Sequence, residues 1–367
     1  MANFVVTFTP YLKKSVFREL ARVDDSVSVA KKISDGILLI QSEKEESDFL
    51  NELLKINPTF IKHICPAKPV GKIKENLEDD KQIILDLLLA EGFDVLDGEK
   101  FAVQTRVIAG GTKEEPLPYS SKDIEVFVGT YFSQKGGKAT FSDRAIVNRT
   151  NVKIFSIIVN DDMVYVGQST SEQNLNFSCD EYRTSTKHGK REISRAENKL
   201  KEALSKYDID LGDKGGVALD IGAAPGGWTK VLVDHGFDVV AVDPGDLHPD
   251  LQNHPKIQHH KCRIENLNFE NYFDIIVNDM NVDPNITSEI MNSLAPSLKD
   301  GGIAIVTFKL PNNPEKGLIE GVEIVSECYD VVSINSLFHN RQEVTALIKK
   351  NNWLKTRLLL NRDSYKY

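Results

Sequence analysis

The sequence is poor in cysteine, in long apolar runs and in positive charge, and each shortage removes a class of protein. Four cysteines among 367 residues, Cys65, Cys179, Cys262 and Cys328, stand apart with no C-x-x-C pair. Neither a zinc-ligand set nor a disulfide framework follows from that spacing, so reduced thiols are expected. No stretch approaches the ~18 consecutive apolar residues of a membrane helix, and the opening segment MANFVVTFTPYLKKSVFREL lacks the basic start and apolar run of a signal peptide. A cytoplasmic protein with no membrane partner is expected. Lys and Arg number 45 against 54 Asp and Glu, a formal charge of -9, which weighs against a protein coated for phosphate binding.

The positive charge that exists is concentrated. From Tyr182 to Lys201 the chain reads YRTSTKHGKREISRAENKLK, seven Lys or Arg against two Glu. The tail from Lys349 to Tyr367 holds six against one Asp and interleaves Trp353, Tyr365 and Tyr367. Cations beside aromatic rings can meet phosphates and stack on bases.

Organisation changes near residue 200. Beyond it, apolar strand runs such as VALDIGAA, DVVAVDPG, FDIIVNDM and IAIVTFKL alternate with helical runs such as GGWTKVLVDHG and SEIMNSLAPSLKDGG. Continuous apolar strands between helices predict an α/β domain with a mostly parallel sheet covered on both faces. DVVSINSLF and EVTALIKK are joined only through HNRQ, too short for a parallel crossover, so the last strand is expected to run antiparallel. The earlier part predicts two small α+β units, the second with a hairpin across VKIFSIIVNDDMVYVGQS. The expected spans are 1–65, 66–180 and 190–367.

The densest signal is GVALDIGAAPGGWTK, from Gly216 to Lys230: a strand, a glycine-rich loop and a helix start. Dinucleotide loops use G-x-G-x-x-G, but Gly222 is followed by Ala223, Ala224 and Pro225 before Gly226 and Gly227. The second glycine, which lets backbone approach a pyrophosphate, is missing. The order of Lys and Ser/Thr also differs from a Walker loop, so ATP is disfavoured. Asp243 ends the next apolar strand, 21 residues beyond Gly222, where an acid accepts hydrogen bonds from ribose hydroxyls. A nucleoside without phosphate suits this pair of features, and S-adenosylmethionine is such a cofactor. Alone, Asp243 also reads as a turn cap.

LDIGAAPGGWTKVL resembles the cofactor loop of the FtsJ-like (RrmJ fold) ribose 2'-O-methyltransferases. Four further segments agree in order: SRAENKLKEAL with Lys199, IIVNDM with Asp279, IVTFKLP with Lys309 and RQEVTALI with Glu343. The resemblance implies a Rossmann-like methyltransferase fold and a catalytic set of Lys199, Asp279, Lys309 and Glu343. FKLP and LFHNRQEVT are most similar to the RlmM-type 23S rRNA cytidine 2'-O-methyltransferases. That branch implies N-terminal ferredoxin-like and THUMP-like RNA-binding units and an RNA partner, most often large-subunit rRNA. DMNVDPN after Asp279 departs from the family's commoner DMAPN.

The roles implied are specific. Lys309 serves as base or as the group that orients the ribose hydroxyl, with its basicity lowered by the second lysine if it acts as a base. Asp279 positions Lys309, Lys199 holds the hydroxyl or a phosphate, and Glu343 orients Lys199. The expected cofactor residues are Gly222, Ala223, Pro225, Gly226, Gly227, Trp228, Asp243, Glu265 and Asp279. Trp228 also reads as a packing residue, and Glu265, expected near the adenine amino group, also reads as a solvated acid. His248, His254, His259 and His260 match no standard metal spacing, and no metal is expected. A tRNA methyltransferase and an inactive methyltransferase-like RNA-binding protein are the alternatives.

Overall fold

The computed structural model describes residues 1–108, 117–140, 151–175, 192–212 and 215–351. The basic segment from Tyr182 up to 191 and the tail from 352 onward, with Trp353, Tyr365 and Tyr367, lie outside the described residues. The chain divides into two compact units, Met1–Ser185 and Thr186–Tyr367.

The first unit contains two sheets. One is built from β1 (Ala2–Phe8), α1 (Lys13–Ala21), β2 (Ser28–Ser34), β3 (Ile37–Ser42), α2 (Glu46–Ile56) and β4 (Ile61–Pro66), with strand order β2-β3-β1-β4. β1 is antiparallel to both β3 and β4, and the ring of its Phe4 stacks on Phe49 of α2 at 4.5 Å. The other sheet comprises β5 (Lys68–Lys72), α3 (Leu77–Ala90), β6 (Lys100–Ile108), α4 (Ser121–Gln134), β7 (Lys138–Ala139), β8 (Lys153–Asn160) and β9 (Met163–Thr170), ordered β5-β9-β8-β6-β7. β8 and β9 form an antiparallel hairpin that turns at Asp161, whose φ is +53°. Val5, Leu39, Cys65, Ile158 and Tyr165 make a buried cluster shared by the two sheets.

The second unit is an α/β domain around one seven-stranded sheet. Its elements are α5 (Ala196–Lys206), β10 (Val217–Ile221), α6 (Gly227–Asp234), β11 (Asp238–Val242), α7 (Pro249–Gln252), β12 (Ile257–His260), β13 (Phe273–Asn278), α8 (Pro284–Leu294), β14 (Leu298–Lys309), α9 (Pro314–Val325), β15 (Tyr329–Asn335) and β16 (Glu343–Lys350). The strand order is β12-β11-β10-β13-β14-β16-β15. β12, β11, β10, β13 and β14 run parallel, and β16 lies antiparallel between β14 and β15. The run SEIMNSLAPSLKDGG, expected to be helical throughout, splits. α8 stops at Leu294, Pro296 falls in a short 3-10 turn, and β14 already begins at Leu298. Proline's missing N–H and fixed φ explain the break.

The chain winds outward from β10 to β12 and then returns to β13 on the opposite side of β10. That reversal opens a crevice at the carboxyl ends of β10 and β13, the place where open α/β sheets receive ligands. Burial holds the crevice rigid. Trp228, Val231 and Leu232 of α6 pack with Leu200 and Ala203 of α5 and with Ala218, Val239 and Ile275 of the sheet, each large side chain contributing roughly 1.5–3 kcal/mol.

Candidate active site

Lys199, Asp279, Lys309 and Glu343 meet in one cluster. Lys199 stands in the first turns of α5, Asp279 directly follows β13, Lys309 ends β14 and Glu343 begins β16. The antiparallel register sets Lys309 opposite Glu343. The Nζ of Lys199 lies 2.8 and 2.6 Å from the two carboxylate oxygens of Asp279 and 3.0 Å from Oε1 of Glu343. The Nζ of Lys309 lies 2.6 Å from Oε2 of Glu343 and 3.3 Å from Oδ1 of Asp279. Two ammonium groups thus alternate with two carboxylates in a closed ring.

The partners differ in strength from those expected. Asp279 binds Lys199 more closely than Lys309, and Glu343 binds Lys309 more closely than Lys199. Each acid therefore bridges both lysines, with the shorter bonds on the other diagonal. The reason is topological: β14 and β16 are direct neighbours, which brings Glu343 to Lys309, while α5 covers the end of β13 and brings Lys199 to Asp279.

The side chains are 11% (Lys199), 15% (Asp279), 20% (Lys309) and 10% (Glu343) exposed, low enough that an unpaired charge would cost several kcal/mol. Burial opposes the charge on Lys309, but the Asp279 and Glu343 carboxylates outweigh it and hold Lys309 above the usual lysine value. Burial likewise opposes ionisation of Glu343, yet Lys199 and Lys309 hold its carboxyl below the usual range. Mutual repulsion between the lysines does not dominate, and the two carboxylates raise the basicity of Lys309 where a lowered one was considered.

One further side chain bonds to the ring, and another acid is buried near it. The Thr307 hydroxyl, fully buried on the same face of β14 as Lys309, donates to Oδ1 of Asp279 at 2.8 Å. Asp220 of β10 is 1% exposed and accepts from the Thr229 hydroxyl at 2.6 Å. Burial, helped by nearby Asp279 and Asp243, pushes its carboxyl up to about 7.

Next to the ring lies a cavity of about 550 Å³ lined by Gly222, Ala224, Asp243, Glu265, Asp279 and Met280, with apolar walls from Ile221, Val242, Ile264, Ile286 and Ile290. Its size is that of a small-molecule site. Asp243 accepts from the Gly245 N–H at 2.6 Å and the Ala224 N–H at 3.2 Å, which leaves acceptor positions on the carboxylate for a diol. Gly222 has φ +73°, and a Cβ there would sit 2.9 Å from Cγ of Met280 and 3.1 Å from its backbone N. Only glycine gives the turn and leaves that wall in place. Acidic Asp243 and Glu265, apolar walls and a phosphate-free loop fit the ribose and adenine of S-adenosylmethionine.

The remaining expected cofactor residues shape the loop instead of lining the cavity. Ala223 is buried, Pro225 accepts from the His248 N–H at 2.8 Å, and Gly226 and Gly227 begin α6. Trp228 is 3% exposed, and its indole N–H donates to the Ala196 carbonyl at 2.7 Å. It staples α6 to α5, which is the packing alternative for that residue. Among the described residues no group of three His, Cys, Asp or Glu is arranged to hold a metal. His248 and His254 accept from the N–H groups of Asp250 and Lys256, and His259 lies 3.2 Å from the Asp243 carbonyl. No helix among the described residues is long and apolar enough to cross a membrane.

Sequence reasoning missed Thr307, Asp220, the Ile286 and Ile290 wall, and Glu202, which binds the loop before β16. The spacing held a signal for two of them: Thr307 is two residues before Lys309 in a strand, and Glu202 is three after Lys199 in a helix.

The strand order, the glycine loop and the adjoining cavity define an α/β domain with a Rossmann-like sheet, the fold of methyltransferases. Residues 193–309 match the family model described as FtsJ-like methyltransferase, which bears out the resemblance read from the motifs. The chain is also similar to an uncharacterised protein of Methanocaldococcus jannaschii, 31% identical over 169 residues, covering 44% of this chain and 47% of that one. A Ribosomal RNA large subunit methyltransferase M of Laribacter hongkongensis is 30% identical over 176 residues, covering 43% and 48%. The protein of the same name from Serratia proteamaculans is 30% identical over 221 residues, covering 55% and 58%. The chain spans about half the length of the curated relatives it matches.

Proposed function

We propose that the chain is an S-adenosylmethionine-dependent ribose 2'-O-methyltransferase of RNA, with large-subunit rRNA as its substrate. The observation that carries the proposal is the closed Lys199–Asp279–Lys309–Glu343 ring at the edge of a nucleoside-sized cavity. Gly222, Asp243 and Glu265 would hold the cofactor, which when bound supplies an electrophilic methyl group. The similarity to the ribosomal RNA large subunit methyltransferases supports rRNA over tRNA.

In this reading Lys309, held protonated by the two carboxylates, orients the ribose hydroxyl by donating to its oxygen. Lys199 braces the same oxygen or the adjacent phosphate. Glu343, which accepts one hydrogen on each oxygen, keeps unused acceptor positions. The hydroxyl proton would therefore have an acceptor within the ring as the new O–C bond forms and the methyl group's bond to the cofactor's sulfur breaks, with S-adenosylhomocysteine as the leaving group. The ring begins with two positive and two negative charges and takes up the one proton released, so positioning and fixed electrostatics supply most of the acceleration.

The N-terminal part fits the same reading. The β-α-β-β-α-β order of the first sheet supports a ferredoxin-like unit over 1–65. The five-stranded second sheet with its β8–β9 hairpin supports reading 66–180 as a THUMP-like unit ahead of a catalytic domain at 190–367, and both N-terminal units would contact RNA.

The test is methylation of modification-free total RNA by the full-length protein with labelled cofactor, with Lys309→Ala in parallel. Base-stable 2'-O-methyl label in large rRNA, lost in the variant, is expected. Label confined to tRNA would overturn the substrate, and cofactor binding with no label in any RNA would favour an inactive RNA-binding protein.

A further inference from the structure

The longest-range approach in the ring is that of Lys199 to Glu343, 144 residues apart in the chain. Lys199 belongs to α5, whereas Glu343 opens β16 at the end of the loop 336–342. Glu202 lies three residues after Lys199, on the same side of α5. Its carboxylate is 2% exposed and takes three hydrogens from that loop: the Phe338 N–H at 2.7 Å, the His339 N–H at 3.1 Å and His339 Nδ1 at 2.8 Å. With a carboxylate as its partner, Nδ1 carries the proton. The loop is also braced from inside. Oδ1 of Asn340 accepts from the Leu337 N–H at 2.7 Å, its Nδ2 donates to the Thr345 hydroxyl at 3.1 Å, and the Leu310 N–H donates to the Gln342 carbonyl at 2.8 Å.

We propose that Glu202 is a positioning residue of the ring. It clamps the loop to α5 and so fixes how far Glu343 stands from Lys199, and it trims the approach to Lys309 within the strand register that sets those two residues opposite each other. One helix turn holds both ends of the arrangement, Lys199 inside the ring and Glu202 gripping the segment that delivers Glu343. Loop internal bonds give the segment its shape, but among the described residues the Glu202 carboxylate is the group on α5 that takes hydrogen bonds from the backbone of Phe338 and His339. A carboxylate that only satisfied buried amides would leave the ammonium groups of the ring indifferent to its loss.

The effect of this contact on methyl transfer rests on the function proposed above, but the contact itself can be read without RNA. Full-length protein is trace-acylated with acetic anhydride and the modified lysines are counted by peptide mass spectrometry. In Glu202→Gln the ring loosens: Lys309 loses part of the carboxylate field that holds its proton and acylates about tenfold faster, the change in free amine that one pKa unit brings. Lys199 also accelerates, while Lys153, paired with Glu99 in the other unit, keeps its rate. Wild-type rates at Lys199 and Lys309 would overturn the proposal.

A uniform rise at every lysine would mean that Glu202→Gln unfolds, and His339→Leu then decides, because it removes only the imidazole donor. A partial rise at Lys309 is expected there, and unchanged rates overturn the clamp. His339→Asn keeps a donor near the position of Nδ1 and should restore wild-type rates. If the wild type methylates RNA, Glu202→Gln should lower kcat by roughly tenfold with an unchanged KM for the cofactor, as displaced catalytic geometry predicts. If it methylates nothing, the function fails while the acylation result still decides the clamp.

Discussion

Two pairs of carboxylates, one pair in each unit, are held in opposite ways. In the N-terminal unit, Glu19 of α1 faces the backbone N–H groups of Thr59 and Phe60, with distances of 2.6 to 3.2 Å. Asp80 of α3 likewise accepts from the Lys74 and Asn76 N–H groups and from the Tyr119 hydroxyl. In the C-terminal unit, Asp279 and Glu343 face ammonium groups. Neutral backbone donors stitch a helix to a loop and carry no ionic charge to exchange. An ammonium donor is already a charged acid that can orient an oxygen and stabilise its developing charge. The partner, more than the depth of burial, separates a structural carboxylate from one available to chemistry.

The largest expected effect follows from removing one cation of the ring. Lys309→Ala should lower methyl transfer by about a thousandfold, within the range for a positioned proton-handling group, while cofactor affinity measured by calorimetry stays near wild type. Activity within tenfold of wild type would erase the distinction between the two kinds of carboxylate.

Glu19 tests the other side of the comparison. Burial raises its carboxyl from 4.5 to about 7, against the backbone bonds from Thr59 and Phe60. Because the folded value lies above the unfolded one, the associated stability is complete below about pH 4.5 and is lost as pH rises to about 7. The loss amounts to about 3 kcal/mol, and Glu19→Gln should remove that slope from denaturant unfolding between those pH values without altering methyl transfer at saturating substrates. An unchanged slope would show that Glu19 titrates as an ordinary surface acid.

A smaller effect is expected at the cavity. Asp243→Ala should weaken S-adenosylhomocysteine binding by roughly 30-fold, the loss of hydrogen bonds to a charged acceptor, and calorimetry that finds wild-type affinity would move the ribose elsewhere. The smallest belongs to Thr307→Val, which removes one bond to Asp279 and should lower kcat by about tenfold while the melting temperature moves by a few degrees. A fall in melting temperature with unchanged kcat would reassign Thr307 to packing.

The ring was legible because separate segments resemble the motifs of one family, and the strand pattern agrees for two of its members. Asp279 and Lys309 close apolar runs, where a charged residue has few structural uses, and Gly222 followed by Ala-Ala-Pro disfavoured a pyrophosphate loop. Thr307 was hidden because threonine inside an apolar strand reads as an ordinary β-former. Trp228 was ambiguous because its burial and its bond to Ala196 depend on where α5 crosses α6. The crossed strengths of the four ion pairs depend on strand adjacency, which spacing along the chain does not carry. Glu202 lay in a matched segment, but its partners are more than a hundred residues away.

The reversed direction of β16 has a consequence for how the molecule is made. Lys309 and Asp279 stand at the finishing ends of strands, but Glu343 stands at a beginning, so the last member of the ring arrives only when the final hairpin turns back beside β14. The residues lining the cavity end at Ile290, earlier in the chain than Glu343. A chain stopped before β16 would therefore carry every residue of the cavity wall yet lack the carboxylate that faces Lys309.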